Sequence, residues 1–328
     1  MKYQWERGDD FSLLELRNSN LAVGRVPGGN PIEIENYRLK VESFVNALNG
    51  RVEFPLLLSD IATTIPIVGD IDGAEGLETT VEEYFPPSFK NNSQKLYATS
   101  TAVERYGGDI GTEENIKESI NLGFPLVFHN GHGSHGWFTN ILSSQFIETL
   151  TNPLPGIFVT CACLAGNYAD VATTSTFNGW SEQEPENDSA AELYINGLFG
   201  GIVYIGNVAT GLGAFGGSQF LHAFFAGVFE EGITHIGKIF NYGRRFMRDS
   251  GWEIPVLPVE MTDDSEWWTH HAVILLGDPS IELQVEQLPY LQVEIPETFS
   301  FGYNEINIVV KDESGNPLEG ASGSFCTK

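Results

Sequence analysis

Basic side chains are scarce in this 328-residue chain, which has 17 Lys and Arg against 44 Asp and Glu and a formal net charge of -27. A nucleic-acid partner is therefore not expected, because phosphates are bound by clustered Lys and Arg. Long apolar runs are also lacking, since none reaches the roughly 18 residues of a membrane-spanning helix. The opening residues, Met1 to Arg7, do not have the apolar stretch of a signal peptide.

Cysteine is rare too, with three residues, of which Cys161 and Cys163 are one residue apart. Three thiols exclude a disulfide framework, and an odd count raises the question of whether one is a nucleophile. What the chain does have is an apolar fraction of 41% with 22 Phe. That content excludes general disorder and supports a large core, and the length indicates two domains of about 150 residues each.

Apolar runs that stop at small or polar residues dominate the middle of the chain. Such runs are typical of strands covered on both faces, and they occupy residues 54–58, 95–98, 125–128, 156–159 and 201–205. Helices are predicted between them, beginning behind Asn30 and behind Thr112, and over residues 218–230. Alternating strands and helices predict an α/β fold with a mostly parallel sheet, preceded by a short strand over residues 21–26.

The pattern changes after Leu283, where a Pro-marked junction leads into short alternating stretches such as residues 306–310. Alternation of this kind is typical of an antiparallel sheet with one solvated face. We interpret residues 286–328 as the start of an immunoglobulin-like β-sandwich, truncated because such a module takes about 100 residues.

Two predicted strands end in side chains that can react. One runs into Gly131-His132-Gly133 and the other into Cys163, and open α/β sheets place their sites at such strand ends. A neighbouring imidazole can hold Cys163 as the nucleophilic thiolate and then protonate the leaving amine. The alternative is structural: His132 belongs to a Gly-rich turn and Cys163 is a small buried side chain.

The order of these motifs resembles the caspase-like cysteine peptidases, and in particular the gingipain family. The stretches that carry the resemblance lie in family order over most of residues 20–285: Val23–Pro27, Ile120–Gly123, Gly131–Ser134 followed by Trp137, Cys163–Tyr168 and Leu276–Ser280. The resemblance implies a caspase-like sheet flanked by helices, with residues 51–285 as the catalytic subdomain and residues 1–50 as a remnant of the first α/β subdomain. It also implies a cysteine endopeptidase that acts on proteins or peptides.

Carried over residue by residue, the resemblance makes Cys163 the nucleophile and His132 the general base and acid. The backbone amides of Gly133 and Cys163 are the implied oxyanion hole. Asp60 is the best match to the acidic residue that orients the histidine in this family, although a turn-forming role is equally compatible with the sequence. Cys161 does not match the nucleophile position and is interpreted as a core residue.

Specificity for Arg or Lys before the scissile bond is a further implication of the resemblance. A buried basic side chain needs a carboxylate partner, and we expect it from Asp70, Asp72 or Glu75, with Glu75 first by spacing. The alternative is that all three lie in a solvated acidic loop. Trp137 is expected beside the substrate. Where gingipains have larger side chains against the substrate, this chain has the Gly-rich segment Thr210–Gly217.

No cofactor is expected for catalysis, but the resemblance implies structural calcium, and acidic segments such as Gly69–Gly73 offer oxygen ligands. The resemblance also implies secretion or display on a bacterial surface. We therefore expect the natural protein to extend before Met1 and after Lys328.

Three rival interpretations remain. The chain could be an inactive, surface-exposed binding protein with a peptidase fold. The Gly211-x-Gly213-x-x-Gly216 segment matches a dinucleotide-binding fingerprint, although the helical pattern of residues 220–248 leaves no place for the second strand that such a fold requires. A zinc site of His129, His132 and His135 is disfavoured, because a spacing of three on a strand directs neighbouring side chains to opposite faces.

Overall fold

The structure is a computed structural model that describes residues 21–48, 52, 55–59, 62–65, 69–136, 143–168, 188–212, 216–247, 263–285, 292–294, 309–311 and 315–317. By packing, the chain divides into two units, residues 1–285 and 286–328. Among the helices within these ranges, none has the length and apolar character needed to cross a membrane.

The first unit alternates strands and helices along the chain. Its strands are β1 Pro55–Ser59, β2 Ala62–Ile65, β3 Gly69–Asp72, β4 Gln94–Tyr97, β5 Asp109–Ile110, β6 Leu126–Asn130, β7 Gly156–Thr160, β8 Gly201–Asn207 and β9 Val273–Gly277. Its helices are α1 Pro31–Leu48, α2 Gly73–Tyr84, α3 Pro87–Asn91, α4 Ser100–Tyr106, α5 Glu113–Leu122, α6 Ser144–Ile147, α7 Ala190–Asn196, α8 Gly217–Phe229, α9 Ile236–Arg245 and α10 Asp263–Ala272.

Seven strands form one sheet in the order β5-β4-β1-β6-β7-β8-β9. Every neighbouring pair is parallel except β8 and β9, which run antiparallel. All residues of β1, β7 and β8 are buried, which is why these strands are continuously apolar rather than alternating. The prediction of a mostly parallel sheet flanked by helices is confirmed, and the five predicted strands correspond to β1, β4, β6, β7 and β8.

The predicted helix starts are also confirmed. Asn30 Oδ1 accepts the amides of Ile32 and Glu33 at 3.0 and 3.2 Å, so it caps α1. Thr112 Oγ1 accepts the Asn115 amide at 3.2 Å and caps α5. These side chains satisfy amides that have no partner inside the first helical turn.

Two local predictions were wrong. Residues 21–26 do not form a strand, because their pairing is a single bridge of Arg25 with Leu276; Pro27, which lacks an amide hydrogen, cannot extend it. Residues 220–248 are not one helix: α8 ends at Phe229 and α9 begins at Ile236. Gly232 lies between them with φ +63, a left-handed conformation that interrupts a right-handed helix.

The helices form two groups around the sheet. Helices α2 and α8 pack against each other, and α2 also contacts β1 and β6, whereas α1, α6 and α7 pack together, with α1 and α7 also contacting β8. In the first group the rings of Phe128, Phe85 and Phe89 meet Phe225 and Phe229, with centroids 4.6 to 5.7 Å apart. This packing fixes α3 and α8 against β6, the strand that leads to His132.

In the second unit, β10 Gln292–Glu294 pairs antiparallel with β11 Val309–Lys311. The assignment of this unit to an immunoglobulin-like module, and the boundary at residue 50, stay predictions.

Candidate active site

The two predicted catalytic loops begin at the same edge of the sheet. Strands β6 and β7 are parallel neighbours in which His129 is in register with Thr160. His132 follows the last residue of β6 by two positions, and Cys163 follows the last residue of β7 by three. His132 is exposed and Cys163 is half-buried. The topology therefore places both residues at the carboxyl edge, where parallel sheets carry their sites.

The turn that carries Cys163 has an unusual backbone. Leu164 has φ +58, a left-handed conformation that costs a residue other than Gly about 1–3 kcal/mol. The Leu164 amide donates to Ala209 O at 3.0 Å and the Gly166 amide donates to Asn207 O at 3.1 Å. These bonds tie the turn to the end of β8, so the surrounding structure fixes the backbone that presents the thiol.

The thiol of Cys163 contacts both polar groups of one glycine. The Gly211 amide nitrogen lies 3.2 Å from Sγ and donates to it, while the thiol donates to Gly211 O at 3.7 Å. A Cβ on Gly211 would lie 2.5 Å from Cys161 O, so only glycine allows this approach. A Cβ on Gly216 would lie 2.0 Å from Thr269 Oγ1. Close packing thus accounts for two glycines of the dinucleotide-like segment without a nucleotide.

The second cysteine of the turn has a different environment. Cys161 is buried, and its Sγ donates to Asn130 Oδ1 at 2.9 Å. Asn130 in turn donates from Nδ2 to Gly73 O at 2.9 Å. The side chain at the end of β6 therefore links the cysteine turn to the start of α2. Sequence reasoning missed Asn130, although its position as a polar residue ending an apolar strand was a usable signal.

Buried Tyr204, on β8, lies close enough to both cysteines to respond to their charge. Burial raises the pKa of Tyr204 well above its usual value, and negative charge on Cys163 and Cys161 raises it further. The phenol therefore stays protonated through neutral pH.

The three histidines of this region have different environments, since His129 lies on β6 and His132 and His135 follow it. His129 is buried, and its Nδ1 is hydrogen-bonded to Thr160 Oγ1 at 2.8 Å. His132 is exposed, and the carbonyl of His135 accepts the Ala190 amide at 2.7 Å. Across the described ranges, no group of three or more His, Cys, Asp or Glu side chains is placed to hold a metal ion.

Helix α7 connects the loop that carries His132 with the turn that carries Cys163. The Ala190 amide donates to His135 O in the His132 loop, and the Ala191 amide donates to Ala165 O in the Cys163 turn at 3.0 Å. Ser189 and Glu192 form a capping box in which each side chain accepts the backbone amide of the other, at 3.3 and 2.8 Å. The box fixes the helical turn that bridges the loops. This capping box was not predicted from the sequence, although its Ser-x-x-Glu spacing is visible there.

The other end of α7 is held by a buried lysine from α1. Lys40 Nζ donates to the carbonyls of Tyr194, Ile195 and Phe199 at 3.2, 2.7 and 3.2 Å. These bonds satisfy carbonyls that lack partners at the end of a helix. Burial lowers the pKa of Lys40 to about 7.

The remaining predicted residues are placed as follows. Gly133 is half-buried in the loop beside His132. Glu75 lies in the first turn of α2 with its Oε1 3.5 Å from Arg105 Nη2 on α4. Asp70 and Asp72 lie on β3, so the proposed acidic loop is in fact part of the β2–β3 hairpin.

Asp60 and Trp137 lie outside the described residues, and their roles stay predictions.

Comparison with known proteins gives a family and a fold. The sequence model of Peptidase family C25 matches residues 7–284. Three solved structures align as follows. The Arg-specific cysteine proteinase gingipain R (RgpB) has 17% identity and a TM-score of 0.57, over 90% of this chain and 62% of its own. A protease structure has 14% identity and a TM-score of 0.56, over 90% of this chain and 64% of its own. The complex of RgpB pro- and mature domains from Porphyromonas gingivalis has 15% identity and a TM-score of 0.55, over 92% and 67%.

No curated protein matches the chain. At these identities the structural matches establish the caspase-like fold of the gingipains, and the chain spans about two thirds or less of the length of those structures. The family match covers most of the chain and contains both strand ends described above. The chain therefore belongs to Peptidase family C25, the gingipain family of cysteine-type peptidases.

Proposed function

We propose that this protein hydrolyses peptide bonds with Cys163 as nucleophile and His132 as general base and acid. The observation that carries the proposal is the environment of Cys163, which is half-buried at the carboxyl edge and accepts the Gly211 amide at 3.2 Å. An amide donor favours the thiolate over the thiol. The thiol of Cys161 is instead bonded to Asn130.

In the proposed reaction His132 takes the proton of the Cys163 thiol, and the thiolate attacks the carbonyl carbon of the scissile peptide. The resulting oxyanion is stabilised by the amides of Gly133 and Cys163. His132 then protonates the leaving amine, the C–N bond breaks, and the acyl group stays on sulfur. Water, deprotonated by His132, attacks the thioester and releases the acid and the thiol. Asp60 is the proposed partner that orients the His132 ring.

We further propose that the substrate carries Arg or Lys before the scissile bond. The relative named as Arg specific supports this preference, as does the net charge of -27, which attracts basic peptides. Glu75 is the proposed carboxylate, with Asp70 and Asp72 as alternatives. It lines a cavity of about 540 Å³ together with Glu78, Thr79, Glu82, Glu83, Arg105 and Tyr106.

Action outside the bacterial cell is part of the same proposal, together with an immunoglobulin-like identity for residues 286–328. Structural calcium is a separate proposal. Among the described residues, no cluster of three or more His, Cys, Asp or Glu side chains is placed to bind it. Gly69–Asp72, the segment suggested for it, is a strand. Thermal unfolding in EDTA and in millimolar calcium tests it, and equal midpoints would contradict a structural calcium ion.

Active-site labelling distinguishes a peptidase from an inactive protein with the same fold. A peptidyl chloromethyl ketone with Arg at the reactive end should modify one thiol per molecule, at Cys163, and abolish hydrolysis of fluorogenic peptides. Absence of labelling, or labelling of Cys161 or Cys326 at the same rate, would favour a binding protein. A positional scan of fluorogenic peptides then reports the side chain preferred before the scissile bond.

A further inference from the structure

An exposed tryptophan contacts the loop that holds the Cys163 thiol. The indole Nε1 of Trp268, on α10, donates to Thr210 O at 2.8 Å. Thr210 O and the Gly211 amide nitrogen belong to the same peptide group, and that amide donates to Cys163 Sγ at 3.2 Å. A chain of two hydrogen bonds therefore joins the indole of Trp268 to the sulfur through one peptide group.

The orientation of this peptide group decides whether the sulfur meets a donor or an acceptor. A glycine at position 211 gives the backbone wide freedom to rotate, and a flipped peptide would turn the Thr210 carbonyl oxygen, instead of the Gly211 amide, toward Sγ. The bond from Trp268 holds the carbonyl oxygen on the side away from the sulfur. It thereby selects the orientation that favours a thiolate.

The same bond strengthens the amide as a donor. A carbonyl that accepts a hydrogen bond polarises its peptide group, and cooperative strengthening is roughly 10–30% per bond. A bond to an ionised acceptor is about twice as strong as a neutral one, so the gain is larger for the thiolate than for the thiol. The carbonyl oxygen of Gly211 is an acceptor and favours the protonated thiol. It lies 3.7 Å from Sγ, however, which is farther than the Gly211 amide nitrogen at 3.2 Å.

We propose that Trp268 is a positioning residue of the peptidase, which fixes the Thr210–Gly211 peptide so that its amide holds the Cys163 thiolate. This inference rests on the proposed function, because it assumes that Cys163 is the nucleophile. In this arrangement Trp268 acts on the sulfur through the Thr210–Gly211 peptide group.

The test is the substitution Trp268→Phe, which removes the indole N–H and keeps an aromatic ring. Trp268 is 41% exposed, so the change does not open a core cavity. Trp267→Phe is the matched control, since Trp267 is the adjacent tryptophan of α10 and packs on the His271 ring at 4.5 Å. The rate of alkylation of Cys163 by iodoacetamide is followed against pH by mass spectrometry of the Cys163 peptide.

Among the described residues, the titratable groups on the elements around the thiol include Cys161 on its own turn, Tyr204 on β8 and His132 on the neighbouring loop, and neither substitution changes these three. Losing most of one hydrogen bond should move the midpoint of the alkylation profile upward by about half a pH unit in Trp268→Phe. At neutral pH kcat should fall roughly threefold with KM unchanged. Trp267→Phe should match the wild type in both measurements.

Equal midpoints in the wild type and Trp268→Phe, or the same shift in both variants, would overturn the proposal. If Trp268→Phe fails to fold, β-(3-benzothienyl)alanine at position 268 keeps the shape of the ring system without the N–H donor, and the same shift is expected. Cys163→Ala separates the two hypotheses. If that variant still hydrolyses peptides, the proposed function fails, and if it is inactive while the midpoint does not move, only the role of Trp268 fails.

Discussion

The Sγ of Cys161 lies 2.9 Å from Oδ1 of Asn130 and donates to it, although Cys161 is only two residues from the candidate nucleophile. The two thiols of one turn therefore differ in their polar partners. Cys161 faces an acceptor, which favours the protonated thiol, whereas Cys163 accepts an amide, which favours the thiolate. The contrast supports the proposal that Cys163, and not Cys161, is the nucleophile.

The first prediction follows from that contrast. Cys163→Ala should abolish peptide hydrolysis, and Cys161→Ala should leave kcat/KM within a few-fold of the wild type, because the Gly211 amide donates to Cys163 and favours its nucleophilic form. Initial rates on a fluorogenic peptide check both variants, with circular dichroism as the control for folding. Equal losses in two folded variants would contradict the assignment.

His132→Ala is predicted to change the reactivity of the thiol as well as turnover. Without the imidazolium, the Cys163 thiolate should form only at higher pH, so alkylation at pH 6 should slow while alkylation at pH 10 stays the same. His135→Ala is the control from the same loop, since its backbone carbonyl, which accepts Ala190, is retained in that variant. An alkylation profile in His132→Ala identical to the wild type would exclude His132 as the partner.

The sequence was sufficient for the parts of the fold that depend on local pattern. Continuous apolar runs predicted β1, β6 and β7 because a doubly covered strand has no solvated face, and the caps Asn30 and Thr112 were readable from side chains that satisfy nearby amides. The antiparallel direction of β9 was not readable, because Val273–Gly277 has the same apolar character in either direction.

Within the candidate site, the sequence predicted that two adjacent parallel strands end near His132 and Cys163, but not which contacts hold these residues in place. Trp268 and Thr210 are 58 positions apart, and Ala190 and His135, whose main-chain groups are hydrogen-bonded, are 55 positions apart. Contacts of this kind arise from the way loops converge at one sheet edge, and no local spacing encodes them. The pairing of Glu75 with Arg105 was missed for the same reason.

Ser189→Ala is predicted to reduce activity more than its cost in stability explains. Loss of an N-cap costs about 1 kcal/mol and loosens the turn whose amides bind His135 O and Ala165 O. The control Thr112→Ala removes a similar cap from α5, away from these loops. Urea unfolding should show similar losses for both, whereas kcat/KM should fall roughly tenfold in Ser189→Ala alone, because catalysis is sensitive to small misplacements.

Ser189→Thr provides the rescue, since Thr keeps a neutral hydroxyl cap at this buried position beside the Glu192 carboxylate. Recovery of both stability and kcat/KM is expected. If Ser189→Ala and Thr112→Ala lost activity equally, α7 would have no special role in positioning the loops.

The lowered pKa of Lys40 predicts that the free energy of unfolding rises with pH. Its pKa is about 7 in the folded protein and about 10.4 when unfolded, so between these values the unfolded state holds more protons. The free energy of unfolding therefore increases from pH 7 to pH 10, by up to roughly 4 kcal/mol. Against Lys40→Met, which cannot titrate, the wild type should gain stability across this window.

Urea unfolding at pH 6, 7, 8, 9 and 10 measures the effect, and the exposed Lys238 on α9 supplies the control. The difference in unfolding free energy between the wild type and Lys238→Met should stay constant. A constant difference for Lys40→Met as well would show that Lys40 does not titrate in this range.

Glu75 and Arg105 give the prediction on specificity, in which two substitutions act in opposite directions. Their side chains are 47% and 63% exposed at 3.5 Å, so the ion pair is worth only about 0–1 kcal/mol, and the guanidinium of a substrate can displace Arg105. Arg can bind a carboxylate through two bonds and Lys only as a point charge, so Arg is the expected preference. Glu75→Gln should lower kcat/KM for Arg substrates by up to about fivefold, because an ion pair at this half-exposed carboxylate contributes about 0–1 kcal/mol.

Arg105→Gln should instead lower KM for the same substrates, since it removes the cation that competes for Glu75. Matched peptides with Arg, Lys, Leu or Asp before the scissile bond measure both effects, and the Leu peptide should respond to neither substitution. A wild-type preference for Leu or Asp would contradict a basic pocket altogether. If the Arg preference persisted unchanged in Glu75→Gln, the same comparison in Asp70→Asn and Asp72→Asn would locate the carboxylate, and indifference to all three would show that these residues do not form the pocket.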